Sequence, residues 1–483
     1  MPMNESCLRA IGVAKRRGAS YADARVVHIR NQYIGTEDNR VSFIEDSDSI
    51  GIGVRVIYGG AWGFAAGSSL KKAGVEKTAA WAVEIAKAGR LARAPGGIRW
   101  AREEPHTGSF RTPFRKDPFR VPVEEKAGLL LAISKEVLRV KGVKKCHGFM
   151  QFLNEHRWLA STEGTQIESE TVTSNAQYTA TAVDKSTAKT RYFEAYPKNI
   201  GYEHIESTPL LEEARRVGEE AVAKLKGKPC PVGKKDLVLH PSHLALTMHE
   251  SIGHATELDR VLGMEESLAG SSFATIDKLG KLKYGSKLMN IVCDNTMPFG
   301  LASRGWDDDG VEGQRWNVIR NGILVDYMTG REVCHAIGAK RSHGSCRADS
   351  WGSIPIIRQS NIGLAPGTDP LTPDELIADT RDGIYIEGMG SFSIDQKRLN
   401  FQFGGDCFWE IKNGKKGAIY NDVTYQAITP EFYASMDAIC DDRFWVPYGV
   451  MNCGKGDPGQ VARMTHASAP ARFRKVTVGA GAK

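Results

Sequence analysis

Residues 241–260 read Pro241-Ser242-His243-Leu244-Ala245-Leu246-Thr247-Met248-His249-Glu250-Ser251-Ile252-Gly253-His254-Ala255-Thr256-Glu257-Leu258-Asp259-Arg260. This run decides how the C-terminal half is read. Ser242 is a good N-cap, and the residues after it are good helix formers. The text around it is strand and turn, apart from a short helical stretch at Asp374 to Asp379. Asn321-Gly322 and Asn413-Gly414 each lie between strand-like runs and read as type I′ hairpin turns. The expectation is a β-rich half carrying one functional helix. Burial of an amphipathic face accounts for Leu244, Leu246 and Met248. It does not account for His249, Glu250 and His254.

The spacing of those three residues is informative. With 12 histidines among 483 residues, His-Glu-x-x-x-His arises by chance on the order of 0.02 times per chain, so chemistry is the better reading. The histidines are five apart, not four as in the common zinc-protease helix. An ideal α-helix would turn them about 140° away from each other. Both reach one ion only if the helix widens between them, as a single π-bulge allows. The motif therefore predicts an irregular helix at 250–254, with Gly253 easing the deviation. Neutral imidazoles suit Zn²⁺. Glu250 is placed to act as general base for a water activated by the metal. Surface histidines with an exposed glutamate are the bland alternative. The third ligand stays open on spacing alone. Glu257 is one helical turn beyond His254, Asp259 fits less well, His240 and His243 lie upstream, and any remote cysteine could serve.

Upstream, Lys228-Pro229-Cys230-Pro231-Val232-Gly233 marks a boundary, and a chain of this length is expected to form two domains. We divide it into 1–229, a mixed α/β domain, and 230–483, a β-rich domain, an α+β fold overall. In the first, residues 5–18 read as a helix and Tyr21 to Ala66 as strands, with a Gly59-Gly60 hairpin. Ser69 to Ala88 reads as a helix capped by Ser68 or Ser69. Residues 92–122, with Pro95, Pro105, Pro113, Pro118 and Pro122, read as an irregular crossing. Val123 to Val140 and Leu210 to Leu225 are helical, and Gly148 to Tyr196 returns to strand.

Composition narrows the function classes. The net charge of +7 is a mild excess of 64 basic over 57 acidic residues, without the basic stripe of a nucleic-acid binder. No run reaches the roughly 18 apolar residues of a membrane span. The nine cysteines form no CxxC pair, and Met1 to Ser20 has no secretory apolar region. A reducing cytoplasm is the expected compartment.

The segment Met248 to Asp259 resembles the HExxGHxxExD signature of the TldD/PmbA metallopeptidases, in particular the TldD-type catalytic subunit. The likeness continues at Asp307-Asp308-Asp309-Gly310-Val311, at Asn321 to Tyr327, at Asp382 to Ile386, and at Met451-Asn452-Cys453-Gly454-Lys455 with Pro458-Gly459-Gln460. It implies a zinc ion held by His249, His254 and Cys453, with Glu250 as general base. It also implies cleavage of small unfolded peptides and a dimer, either a heterodimer with a PmbA/TldE-type subunit that lacks the zinc motif or a homodimer. Ser251 and Asp406-Cys407 depart from the family pattern, and Cys407 is a rival ligand. Gly454-x-Gly456-x-x-Gly459 is not read as a dinucleotide site, because Pro458 interrupts it and no βαβ unit follows. The competing function is a non-catalytic regulatory or partner subunit with a structural zinc site.

Overall fold

The structure is a computed structural model that describes residues 3–92, 96–185 and 187–479. Pro95, part of the expected crossing, lies outside the described residues.

The N-terminal part is built on one seven-stranded sheet. Its strands are β1 (Tyr21–Glu37), β2 (Arg40–Tyr58), β3 (Ala61–Gly67), β4 (Thr107–Arg111), β5 (Val143–Ser161), β6 (Gln166–Asp184) and β7 (Thr187–Lys198). The order is β3-β2-β1-β5-β6-β4, and β7 also pairs with β6. Gly59 and Gly60 have φ of 56° and 77°, the left-handed pair a type I′ hairpin needs. Helices Met3–Arg16 and Lys72–Gly89 bury Cys7, Ala10, Ala79 and Val83 against Val26, Ile52 and Val54. Helices Val123–Leu138 and Ala214–Lys224 bury Leu130, Ile133 and Val217 against Met150, Phe152 and Tyr178.

Two expectations are corrected here. The second helix starts at Lys72 after an extended Lys71 with no side-chain cap, not after Ser68 or Ser69. Lys72 and Ala73 are exposed, so water can satisfy their amides. The stretch 92–122 is not wholly irregular. Thr107–Arg111 forms a strand parallel to β6, from Thr107 opposite Gln166 to Arg111 opposite Glu170. The flanking prolines end this strand rather than exclude it.

The C-terminal part is β-rich, as expected. Strand β8 (Gly233–Leu239) lies between Ala471–Val478 and Asp382–Glu387 in a nine-stranded sheet. A six-stranded sheet runs Ile323–Leu324, Arg315–Arg320, Ile291–Asp294, Ile362–Leu364, Gln460–Ser468, Val446–Lys455, with the last strand at its edge. Asn321 and Gly322 (φ 50° and 76°) and Asn413 and Gly414 (φ 49° and 75°) form the two expected hairpin turns. Thr372 caps the short helix Pro373–Ala378 in a reciprocal capping box with Glu375. The helix Pro241–Met248 follows β8 and packs between the two sheets, against Asp382–Glu387 on one side and against Val446–Lys455 and Gln460–Ser468 on the other.

Buried ion pairs tie the N-terminal sheet to the C-terminal part. Arg25 of β1 and Arg157 of β5 meet Asp308 at 3.2 and 2.6 Å, and Arg55 of β2 joins Asp23 and Asp309 at 2.7 and 2.9 Å. Among the described residues no helix is long and apolar enough to cross a membrane. All nine cysteines are free.

Candidate metal centre

The helix that carries the site begins two residues earlier than expected. His240 is the N-cap: its Nδ1 accepts the Ser242 amide at 3.2 Å. Pro241 takes the first helical position, where a missing N–H costs nothing. Ser242, the expected cap, instead accepts the Gly388 amide at 2.9 Å.

The helix then widens. His249–Gly253 is a single π-turn, in which the His254 amide donates to the His249 carbonyl five residues back. This is the irregularity that the five-residue spacing predicts. Gly253 contributes differently from the expectation. Its φ and ψ of −54° and −62° are ordinary right-handed values. What it provides is room: a Cβ there would lie 1.9 Å from Oε1 of Gln359. Gln359 enters that space and donates its Nε2 to the His249 carbonyl at 3.1 Å.

The π-turn brings the two imidazoles together, with ring centroids 4.8 Å apart. Cys453 meets them from the edge strand Val446–Lys455. Donor atoms of His249, His254 and Cys453 all lie within 4.8 Å of one another, and all three residues are buried. Cys453 Sγ is 3.5 Å from His254 Nε2. A tetrahedral zinc with Zn–N near 2.1 Å and Zn–S near 2.3 Å separates such donors by about 3.6 Å. The donor set therefore fits Zn²⁺.

Surrounding groups fix which nitrogens are free. His254 Nδ1 bonds Glu257 Oε2 at 2.8 Å, and His249 Nδ1 bonds His466 Nε2 at 2.7 Å. Each Nε2 is left for a metal, with the outer hydrogen bond holding the ring. Glu257, a local ligand candidate on spacing, thus orients His254. Its other oxygen pairs with Lys455 at 3.2 Å, and Lys455 binds Asp259 at 2.8 Å. Burial opposes ionisation of Glu257, but Lys455, His254 and Arg260 outweigh it and hold the carboxyl well below its usual range. Burial likewise raises the Cys453 thiol, yet His254 and Arg358 bring it below its ordinary value overall. A thiol that ionises readily is what a metal requires. Burial lowers the His249 imidazole, keeping it neutral and able to coordinate.

Glu250 is buried beside His249, and its Oε2 accepts from Nη1 of Arg398. The rival Cys407 is outside the cluster. It is buried in the strand Cys407–Lys412, and burial pushes its thiol up to about 12 against the pull of Arg191 and Lys224. His243 is fully engaged by the Gly388 carbonyl and the Tyr425 hydroxyl, at 2.9 and 2.8 Å. Asp307, Asp309 and Cys346 also bring donor atoms within 4.8 Å. There, however, Asp307 accepts the amides of Asp309, Val311 and Cys346, and Asp309 accepts that of Arg331, so this group braces a loop. Sequence reasoning missed His466, Gln359 and Arg398. None has a local spacing signal, since each reaches the site from more than 100 residues away.

Comparison with known proteins places this geometry in context. Three family models match the chain: PmbA/TldA metallopeptidase domain 1 over residues 22–86, the central domain over 116–228 and the C-terminal domain over 232–480. A metalloprotease of Methanocaldococcus jannaschii is 28% identical over 90% of this chain and 92% of its own. A zinc metalloprotease TldD homolog of Saccharolobus solfataricus is 24% identical over 96% of this chain and 98% of its own. The crystal structure of TldE from Thermococcus kodakarensis superimposes with a TM-score of 0.72 at 16% identity, over 97% of this chain and 98% of that one. A Thermotoga maritima protein, provisionally described as a modulator of DNA gyrase, gives 0.78 at 17% identity over 98% and 99%. At such identities the solved structures speak to the fold alone.

Proposed function

Because the chain belongs to the PmbA/TldD family of metallopeptidases, we propose that it is a zinc-dependent peptidase acting on small unstructured peptides or peptide leaders. The observation that carries this reading is the convergence of His249, His254 and Cys453 with both Nε2 atoms left free by Glu257 and His466. When bound, zinc would supply Lewis acidity and lower the pKa of a water.

The chain's own residues do the rest. His249, His254 and Cys453 hold the ion. Glu250, next to the first ligand, takes the proton of the attacking water and returns it to the leaving amine. Burial of the site strengthens every charge interaction within it. The strand Val446–Lys455, at the edge of its sheet, offers main-chain groups for an extended peptide. Cys453 on that strand would set such a peptide beside the metal.

The second reading is a regulatory or partner subunit with structural zinc. Closed structural sites use four protein ligands, whereas catalytic ones keep a position open. The cluster offers three donors, and Glu257 is committed to His254 and Lys455, which favours the peptidase. We further propose domains at 1–229 and 230–483, a cytoplasmic location, and pairing with a PmbA/TldE-type subunit or a second copy.

The test measures bound zinc and hydrolysis of a flexible peptide by wild type, Glu250→Gln and Cys453→Ser. Glu250→Gln should keep zinc and lose cleavage, and Cys453→Ser should lose zinc. Unchanged cleavage in Glu250→Gln would overturn the mechanism.

A further inference from the structure

Arg398 sits in the turn between strands Phe392–Ile394 and Asn400–Gly404, at φ 63°. That left-handed conformation is unfavourable for a residue with a Cβ. The turn is nonetheless fixed from several sides. The Arg398 amide donates to the Asp395 carbonyl at 3.0 Å, and the Asp395 carboxylate accepts the amides of Leu399 and Asn400 at 2.9 and 3.0 Å. The carbonyl of Lys397 accepts the Phe273 amide at 2.8 Å, and that of Arg398 accepts the Thr429 hydroxyl at 2.9 Å. A strained residue held this firmly at a reaction centre is a sign of a functional constraint.

The side chain adds a second observation. Its Nη1 donates to Oε2 of Glu250, while its Nε is buried without a hydrogen-bond partner. Simple neutralisation of Glu250 accounts for the first contact only. A buried cationic donor left unsatisfied is costly unless something else meets it.

We propose that Arg398 is a catalytic residue that binds the carbonyl oxygen of the scissile peptide and stabilises the negative charge that forms there. The inference rests on the peptidase reading of the site. In the addition step the water oxygen bonds to the carbonyl carbon, the carbonyl π pair moves onto its oxygen, and the water proton passes to Glu250. Glu250 becomes neutral as the substrate oxygen becomes negative. The guanidinium then has a stronger partner in that oxygen than in Glu250. In the collapse step the C–O π bond re-forms, the C–N bond breaks, and Glu250 returns the proton to the amine nitrogen. Arg398 is oriented before the reaction begins, so little reorganisation is needed as charge develops.

The experiment uses the zinc-loaded full chain as wild type, Arg398→Met and Arg398→Lys. It measures kcat and KM on a flexible peptide and the calorimetric affinity for a phosphinic pseudo-peptide of the same sequence, whose charged tetrahedral centre replaces the scissile carbonyl. Arg398→Met should keep its zinc and its KM, lower kcat by about 100-fold, and weaken phosphinate binding by a similar factor. Arg398→Lys should recover part of both, and it also serves if the methionine variant folds poorly. Wild-type kcat and phosphinate affinity in a zinc-loaded Arg398→Met would overturn the assignment while leaving the peptidase reading intact. Loss of zinc in that variant would overturn it too, because Arg398 would then be structural. A wild type that neither cleaves peptide nor binds the phosphinate would overturn both.

Discussion

Nδ1 of His249 lies 2.7 Å from Nε2 of His466, 217 residues further along the chain. If His249 coordinates through Nε2, its Nδ1 carries the proton and donates it to His466. The proton of His466 then sits on its own Nδ1, which is buried without a partner. Metal-ligating histidines usually meet a carboxylate or a carbonyl in this position. Here a second imidazole, itself held neutral by burial, takes that place.

His466→Ala should therefore weaken zinc binding by about 10- to 100-fold while the three ligands remain. His466→Gln, which retains an acceptor, should recover part of the loss. Competition against a chromogenic chelator measures both. An unchanged affinity in the alanine variant would show that His249 needs no orienting partner.

Gly253→Ala tests the π-turn. The new methyl would meet Gln359 Oε1 at 1.9 Å. Either Gln359 moves away from the His249 carbonyl or the turn shifts, so a loss of about 1–3 kcal/mol is expected, together with weaker zinc binding. Urea unfolding of the metal-free protein reads the first and chelator competition the second. The double variant Gly253→Ala/Gln359→Ala should recover part of the stability.

Much of this site could be read from sequence, and the rest has identifiable reasons for being hidden. If both histidines are to reach one ion, the five-residue spacing of His249 and His254 demands a widened helix whatever the tertiary structure. Asn321-Gly322 and Asn413-Gly414 carry their turn geometry in two residues. Only the family resemblance singles out Cys453, because its proximity to His254 is a product of sheet packing. Arg398 and His466 leave no local trace for the same reason. Between Pro105 and Pro113, turn residues on both sides mask the five-residue alternation of the strand Thr107–Arg111.

Glu257→Gln should be costly for a different reason. It removes an anion buried between His254 and Lys455. Breaking one side of a buried ion pair costs about 3–5 kcal/mol, and Asp259, still bound to Lys455, should keep the loss near the lower end. Thermal and denaturant unfolding without metal provide the measurement. A variant as stable as wild type would mean that Asp259 alone satisfies Lys455.

Glu194 sets a pH dependence away from the metal. Burial, helped by the charge of Asp406, raises its carboxyl to about 7, although the Tyr448 hydroxyl donates to it and pulls the other way. Tyr192 and Tyr196 flank it on β7. The folded chain keeps this proton to about pH 7, whereas the unfolded chain releases it near 4.5. Between those values the unfolded state binds fewer protons, so stability falls as pH rises, by up to about 3 kcal/mol from this group. Glu194→Gln, still an acceptor for Tyr448, should flatten that part of the profile and be the more stable form above pH 7. Parallel stability profiles for the two proteins would exclude the effect.

The distance in sequence between the π-turn and Cys453 also bears on how the protein is made. Chains fold progressively during synthesis, from the N-terminal side. If His249, His254 and Cys453 are the ligands, a growing chain would offer zinc only the two histidines until the strand Val446–Lys455 has docked, a weaker hold than the finished trio. On the proposed site, loading with metal would then be among the last events of maturation, and an interrupted translation product would lack the cysteine that completes it.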